Sequence, residues 1–198
     1  MPIDENMTMW ATFTDYVNVY SVVGGIAVVL LTLVHGLTFI GLRTTGPVHT
    51  RALALLNKVY LALFGGLVVF AVLTYFNTDL FTVRPVATPV FLVCIVLAAV
   101  LGFIFANKGK EGWAFTMSGL TIVLTVATLY VGLFPRVMIS SIDPAFNLTI
   151  NNAASGQYTL SLMTKISLTL LPFVLGYQIW SYYIFRKRIS HKDTVNYE

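Results

Sequence analysis

The stretch VFLVCIVLAAVLGFIF, residues 90–105, decides the fold, because sixteen positions pass without one charged side chain. A strand in a membrane barrel would alternate polar and apolar residues over about ten positions. This run does not alternate, and neither does VGGIAVVLLTLV at 23–34. Within lipid every backbone N–H and C=O needs an internal partner, so a continuous apolar run of this kind is read as a helix. Cys94 is the lone cysteine and sits inside the run, which excludes a disulfide framework and predicts a buried, inert thiol.

The composition agrees. Of 198 residues, 57% are hydrophobic and only 10% charged, against roughly 25% charged in a soluble domain. A water-soluble fold of this length could not hide that much apolar surface, so lipid is part of the solvent. The net charge of +4 does not indicate nucleic acid. The basic residues sit in short segments between apolar runs, which is a topology pattern.

Five apolar segments, at about 20–42, 57–76, 87–106, 115–134 and 159–185, each approach the roughly 20 residues that a span needs. Arg43, Arg51 and Lys58 in the first loop, Lys108 and Lys110 in the third, and Arg186, Lys187, Arg188 and Lys192 in the tail all fall on one side. Arg84 and Arg136 fall on the other, and Lys165 lies inside a span. The positive-inside bias puts the larger group in the cytoplasm. The N-terminus is then outside and the C-terminus inside, in agreement with an odd number of spans. The prediction is an all-α integral membrane protein, a single domain over 1–198 made of a bundle of five transmembrane helices. The lead 1–18 lacks a signal peptide's basic start, and Trp10 and Tyr16 suit a membrane interface. Five spans behind a polar outer lead look like a bundle whose earlier part is missing.

Candidate chemistry is sparse. His35 is the one histidine at membrane depth, since His49 and His191 lie in basic segments. An intramembrane imidazole raises haem ligation, a proton relay or a quinone contact. The favoured reading is a hydrogen bond to a carbonyl of a neighbouring helix, and no second such histidine exists for a bis-histidine haem. Lys165 stands one to two turns inside the last span, on the order of 10 Å from its outer end, so snorkelling to the interface is favoured over a proton path. Pro172 removes a donor and frees a carbonyl near Leu168. Together with Lys165 it is the best support for a competing function, a small transporter or permease component. Ser118, Thr121, Thr125 and Thr128 share one helix face, read as close packing with interhelical hydrogen bonds. Gly24-Gly25 and Gly65-Gly66 are read as sites where backbones touch. No Asp or Glu lies within the five segments, and no catalytic triad, metal-spaced cluster or nucleotide loop is present. No catalytic, cofactor-binding or metal residue is assigned.

One long stretch is distinctive: GLFPRVMISSIDPAFNLTINNAASGQYTLSLMTKISLTLLPFVLGYQIWSYYIFR, residues 132–186. It resembles the C-terminal end of subunit II of the bacterial cytochrome bd-type quinol oxidases. The matching positions are Gly132, Phe134-Pro135, Ser140-Ser141, Leu148-Thr149, Asn152-Ala153-Ala154-Ser155, Thr159-Leu160, Met163, Pro172, Tyr177 and Trp180-Ser181-Tyr182. Upstream, HGLTFIGLRTTG with Arg51, MPIDENMTM and NVYSVVGG are also similar to that family. Gly156 and Ile139 depart from the pattern, where Ser and Pro are common; both lie in the loop.

The resemblance covers this whole chain but only the C-terminal part of the family's subunit. It implies an accessory subunit of a respiratory oxidase in the bacterial cell membrane, which oxidises membrane quinol and reduces oxygen to water. It implies a heterodimer with subunit I, which carries haem b and haem d, and no haem bound by this chain. It also implies contact with lipid and quinone, and with a missing N-terminal part of subunit II that carries the acidic residues of proton delivery. No nucleic-acid partner is implied. The outer loop, through Ser140, Ser141, Asn152 and Ser155, is expected to dock against a neighbouring chain.

Overall fold

A computed structural model describes residues 1–6 and 8–187. His191 and two of the basic residues assigned above to the cytoplasm, Arg188 and Lys192, lie outside the described residues. The elements run in order α1 (Phe13–Tyr16), α2 (Val19–Arg43), α3 (Pro47–Asn77), α4 (Leu80–Val83), α5 (Ala87–Asn107), α6 (Glu111–Leu133), β1 (Arg136–Met138), β2 (Leu148–Thr149) and α7 (Gln157–Ile184). Five helices are long and apolar enough to cross a membrane, and they correspond to the five predicted spans.

Local chemistry sets the helix ends. Asn18 caps α2 by accepting from the Ser21 N–H at 3.0 Å, while Ser21 Oγ accepts from the Asn18 N–H at 3.0 Å. This reciprocal box satisfies two donors that the first turn leaves orphaned. Gly46, at φ +74°, makes the reversal into α3, and Pro47 follows at the first turn, where its missing N–H costs nothing. Helix α3 therefore starts about ten residues before the predicted span, and Arg51 and Lys58 stand on its early turns, outside the loop. A 31-residue helix is about 46 Å long, against a hydrocarbon core of about 30 Å. Gly109, at φ +69°, makes the matching turn between α5 and α6.

These turns yield two antiparallel hairpins, α2/α3 and α5/α6, which meet mainly along α2 and α6. Each helix turns a 3–4-spaced stripe inward: Ala27, Leu31, Val34, Thr38 and Gly41 on α2, and Ala52, Leu56, Tyr60 and Leu63 on α3. On α5 the stripe is Ile95, Ala98, Ala99, Gly102 and Ala106; on α6 it is Ala114, Ser118, Thr121, Thr128 and Gly132. Lipid tails are as apolar as leucine, so burial itself drives little association here, and small residues that allow close approach matter more. Alanine and glycine dominate the α5 stripe for this reason. Tyr60 is 1% exposed and fits against Gly102, with the Phe103 ring 5.4 Å away edge-on.

Two expectations change. Cys94 is exposed on α5, because it lies about 100° around the helix from Ile95, on the flank of the buried stripe. In each glycine pair one member is tight against a side chain instead of a backbone: a Cβ on Gly24 would lie 3.3 Å from Phe70, and one on Gly66 would lie 3.3 Å from Leu30. Gly25 and Gly65 face open space. All five long helices are present as predicted; four pack closely on one another, while α7 buries none of its residues.

Candidate functional site

His35 projects from α2 toward α6. Its Nδ1 is 2.9 Å from Ser118 Oγ, which lies 3.1 Å from Thr38 Oγ1. The imidazole stacks on Phe115 with centroids 4.5 Å apart, and a Cβ on Gly119 would come within 3.4 Å of the ring. The glycine thus makes the notch that receives the histidine. The partner is a hydroxyl, where a carbonyl was expected. This cluster clamps the two hairpins together at membrane depth. Ser118 and Phe115 thereby engage Nδ1 and one face of the ring.

The hydroxyl face of α6 divides. Ser118, Thr121, Thr125 and Thr128 all donate to carbonyls of their own helix, at Phe115, Met117, Thr121 and Leu124, and Ser118 also reaches across to α2. Only the first makes the interhelical bond that the spacing predicts.

Lys165 sits on the exposed surface of α7 beside Ile166, Thr169 and Leu170, and the Thr169 hydroxyl donates to the Lys165 carbonyl at 2.8 Å. Neither Lys165 nor Pro172 borders the bundle interior. The crevice that would support a transporter is therefore not formed between α7 and the other helices. At the far end of α7 the Arg186 guanidinium lies 4.0 Å over the Tyr183 ring, near Trp180, an arrangement suited to the membrane interface.

One end of the bundle carries an interlocked cap. Strand β1 pairs antiparallel with β2, Arg136 opposite Thr149 and Met138 opposite Leu148. Ser140 is buried; its hydroxyl donates to the Ile3 carbonyl at 2.9 Å, and its N–H donates to Asn147 Oδ1 at 2.7 Å. The Ser141 N–H donates to the Met1 carbonyl at 2.8 Å, and Ile3 is fully buried. Asn152 staples the loop by accepting from the Thr149 N–H at 2.6 Å and donating to the Asn147 carbonyl at 3.1 Å. Ser140 and Asn152 thus hold the loop and the N-terminal segment of this same chain, while Ser155 is exposed.

Two ion pairs lay beyond the sequence reading. Arg136 forks onto both carboxylate oxygens of Asp79, joining the α6–α7 connection to the α3–α5 connection. The Arg136 guanidinium holds the Asp79 carboxyl below the ordinary carboxylate range. At the opposite end, His49 Nε2 lies 3.2 Å from Glu111 and His49 Nδ1 lies 3.0 Å from the Gly41 carbonyl. The available signal was a pair of opposite charges bordering neighbouring spans on one side of the membrane. Among the described residues no cluster of three or more His, Cys, Asp or Glu could hold a metal.

The comparisons agree with one another. Residues 1–185 match the family described as cytochrome bd terminal oxidase subunit II. Cytochrome bd ubiquinol oxidase subunit 2 of Bacillus subtilis (strain 168) is 48% identical over 197 residues, covering 100% of this chain and 58% of that protein. Cytochrome bd-I ubiquinol oxidase subunit 2 of Escherichia coli (strain K12) is 27% identical, covering 96% of this chain and 59% of its own length. The probable cytochrome oxidase subunit 2 of Haemophilus influenzae is 26% identical, covering 89% and 54%. The chain therefore spans less than three fifths of these relatives. A match that runs through all five long helices and the stapled cap places this chain in the cytochrome bd terminal oxidase subunit II family.

Proposed function

We propose that this chain acts as the C-terminal part of the accessory subunit of a quinol-oxidising, oxygen-reducing terminal oxidase in a bacterial cell membrane. One observation carries the reading: similarity to proteins named as that subunit runs through the whole chain. The four-helix bundle is a scaffold. Its membrane-depth histidine is engaged in packing, and the redox chemistry belongs to haem b and haem d in a larger subunit I.

Orientation follows the basic residues. The His49–Glu111 end carries Arg43, Arg51, Lys108 and Lys110 and faces the cytoplasm, and the stapled cap faces outward. Helix α7 is the main docking element, since Leu168, Phe173, Ile179 and Tyr183 are all more than half exposed. The loop around Ser141 and Ser155 adds an outer contact. Lys165 snorkels from α7 to the outer interface, and His35 holds α2 to α6.

The test is extraction of the native chain in mild detergent. A larger haem-bearing partner should accompany it, and dithionite-reduced minus oxidised spectra should show b- and d-type bands. Co-purification with a partner lacking haem bands would sink the assignment. No observation favours the transporter alternative.

A further inference from the structure

A cavity of about 40 Å³ lies between α3, α5 and α6, beneath the single turn of α4. Leu80 and Ile95 are buried members of its lining, and Leu129, also in the lining, is 42% exposed. Four threonines line the rest, which looks at first like a polar site. Their hydroxyl protons are all committed to backbone: Thr74 to the Phe70 carbonyl at 2.7 Å, Thr88 to Leu80 at 3.0 Å, Thr125 to Thr121 at 2.8 Å and Thr128 to Leu124 at 2.7 Å. Thr74, Thr125 and Thr128 turn their hydroxyls back onto their own helix, and Thr88 turns onto α4. The lining is accordingly almost all carbon.

Water occupies a buried cavity where two to four polar partners converge on it, and a cavity of carbon walls stays dry. These walls offer no free hydroxyl proton. Polar solutes meet the same deficit, and the volume excludes anything much larger than one heavy atom or a diatomic molecule. We infer that this cavity is a dry binding site for one small apolar molecule of xenon size, entering from the bilayer past Leu129. Dissolved apolar gases partition into hydrocarbon, so the lipid-side wall is the natural entrance. The inference stands on the cavity alone, independent of the oxidase assignment.

The experiment is xenon-129 NMR on the full chain in detergent, with protein-free micelles as the blank. Wild type should show a saturable shift above the blank. Thr128→Val keeps the wall shape and removes the hydroxyl, so its xenon affinity should stay within about twofold, because the hydroxyl faces away from the ligand. Ile95→Phe fills the space and should weaken binding by about tenfold or more, and Leu129→Phe provides a second filling variant should the first fail to fold. No saturable shift in wild type, loss of binding in folded Thr128→Val, or binding undiminished in the folded filling variants would each overturn the inference.

Discussion

Helices α3 and α7 have 31 and 28 residues, and both are long and apolar enough to cross a membrane. Helix α3 buries Ala52, Leu56, Tyr60, Leu63 and Thr74, whereas α7 buries nothing. Hydropathy therefore fixes that a segment enters lipid and leaves open whether it packs. Packing in lipid needs close approach, and α3 has it: Gly66 meets Leu30 of α2, Ala52 is buried, and Tyr60 fills the notch at Gly102. On α7, Gly176 has nothing near it, and bulky Leu, Phe, Tyr and Trp residues point in every direction.

The contrast can be broken most directly with a matched pair of truncations. Leu56→Ala, at a position 1% exposed, should cost the chain about 2 kcal/mol, the low end of the core range because lipid is the reference solvent. Leu168→Ala, at a position 67% exposed, should cost the isolated chain less than about 0.5 kcal/mol. Thermal unfolding in one detergent reads both. Equal losses would mean that α7 packs on the bundle after all.

A second pair sharpens the account of α3. A Cβ on Gly102 would stand 2.6 Å from Tyr60 Oη, so Gly102→Ala should cost about 1–2 kcal/mol of overpacking. The Tyr60 hydroxyl is buried without a hydrogen-bond partner. Tyr60→Phe should therefore be neutral or stabilising by itself, and should restore most of the loss in the double variant. A double variant no better than Gly102→Ala would disprove the notch.

A modest effect is expected in the cap. Arg136 favours the charged form of Asp79 in the folded chain. The resulting stability is fully present above the unfolded carboxylate value, about 3.9, and is lost as the pH falls through the lower folded value. Asp79 is 40% exposed, so solvent screening keeps the contribution below about 1 kcal/mol. Asp79→Asn should flatten this part of the acid limb of a stability-against-pH curve. An unchanged limb would remove the pair from the account.

The spans were legible because each is a long run of one chemistry. Predicted and observed limits agree closely except at the start of α3, where His49, Thr50 and Arg51 hid ten helical residues behind polar side chains. The strands β1 and β2, of three and two residues, are too short to produce a periodic signal. The detachment of α7 was not legible either, because no period in its sequence separates a lipid face from a protein face. His35 was found from its depth alone, but its partner was not. Ser118 and the three threonines after it look equivalent in sequence, and only the rotation of α6 decides which one reaches α2. Cys94 was misjudged for the same reason.

The bond from Ser140 to the Ile3 carbonyl joins residues 137 apart in sequence. During synthesis the Ile3 segment emerges before the first four spans, and its docking site is made only after the last of them. Loop-closure entropy over that distance gives the cap no local route to form early. The cap is therefore a late-forming seal, and for most of translation the edge it covers is open.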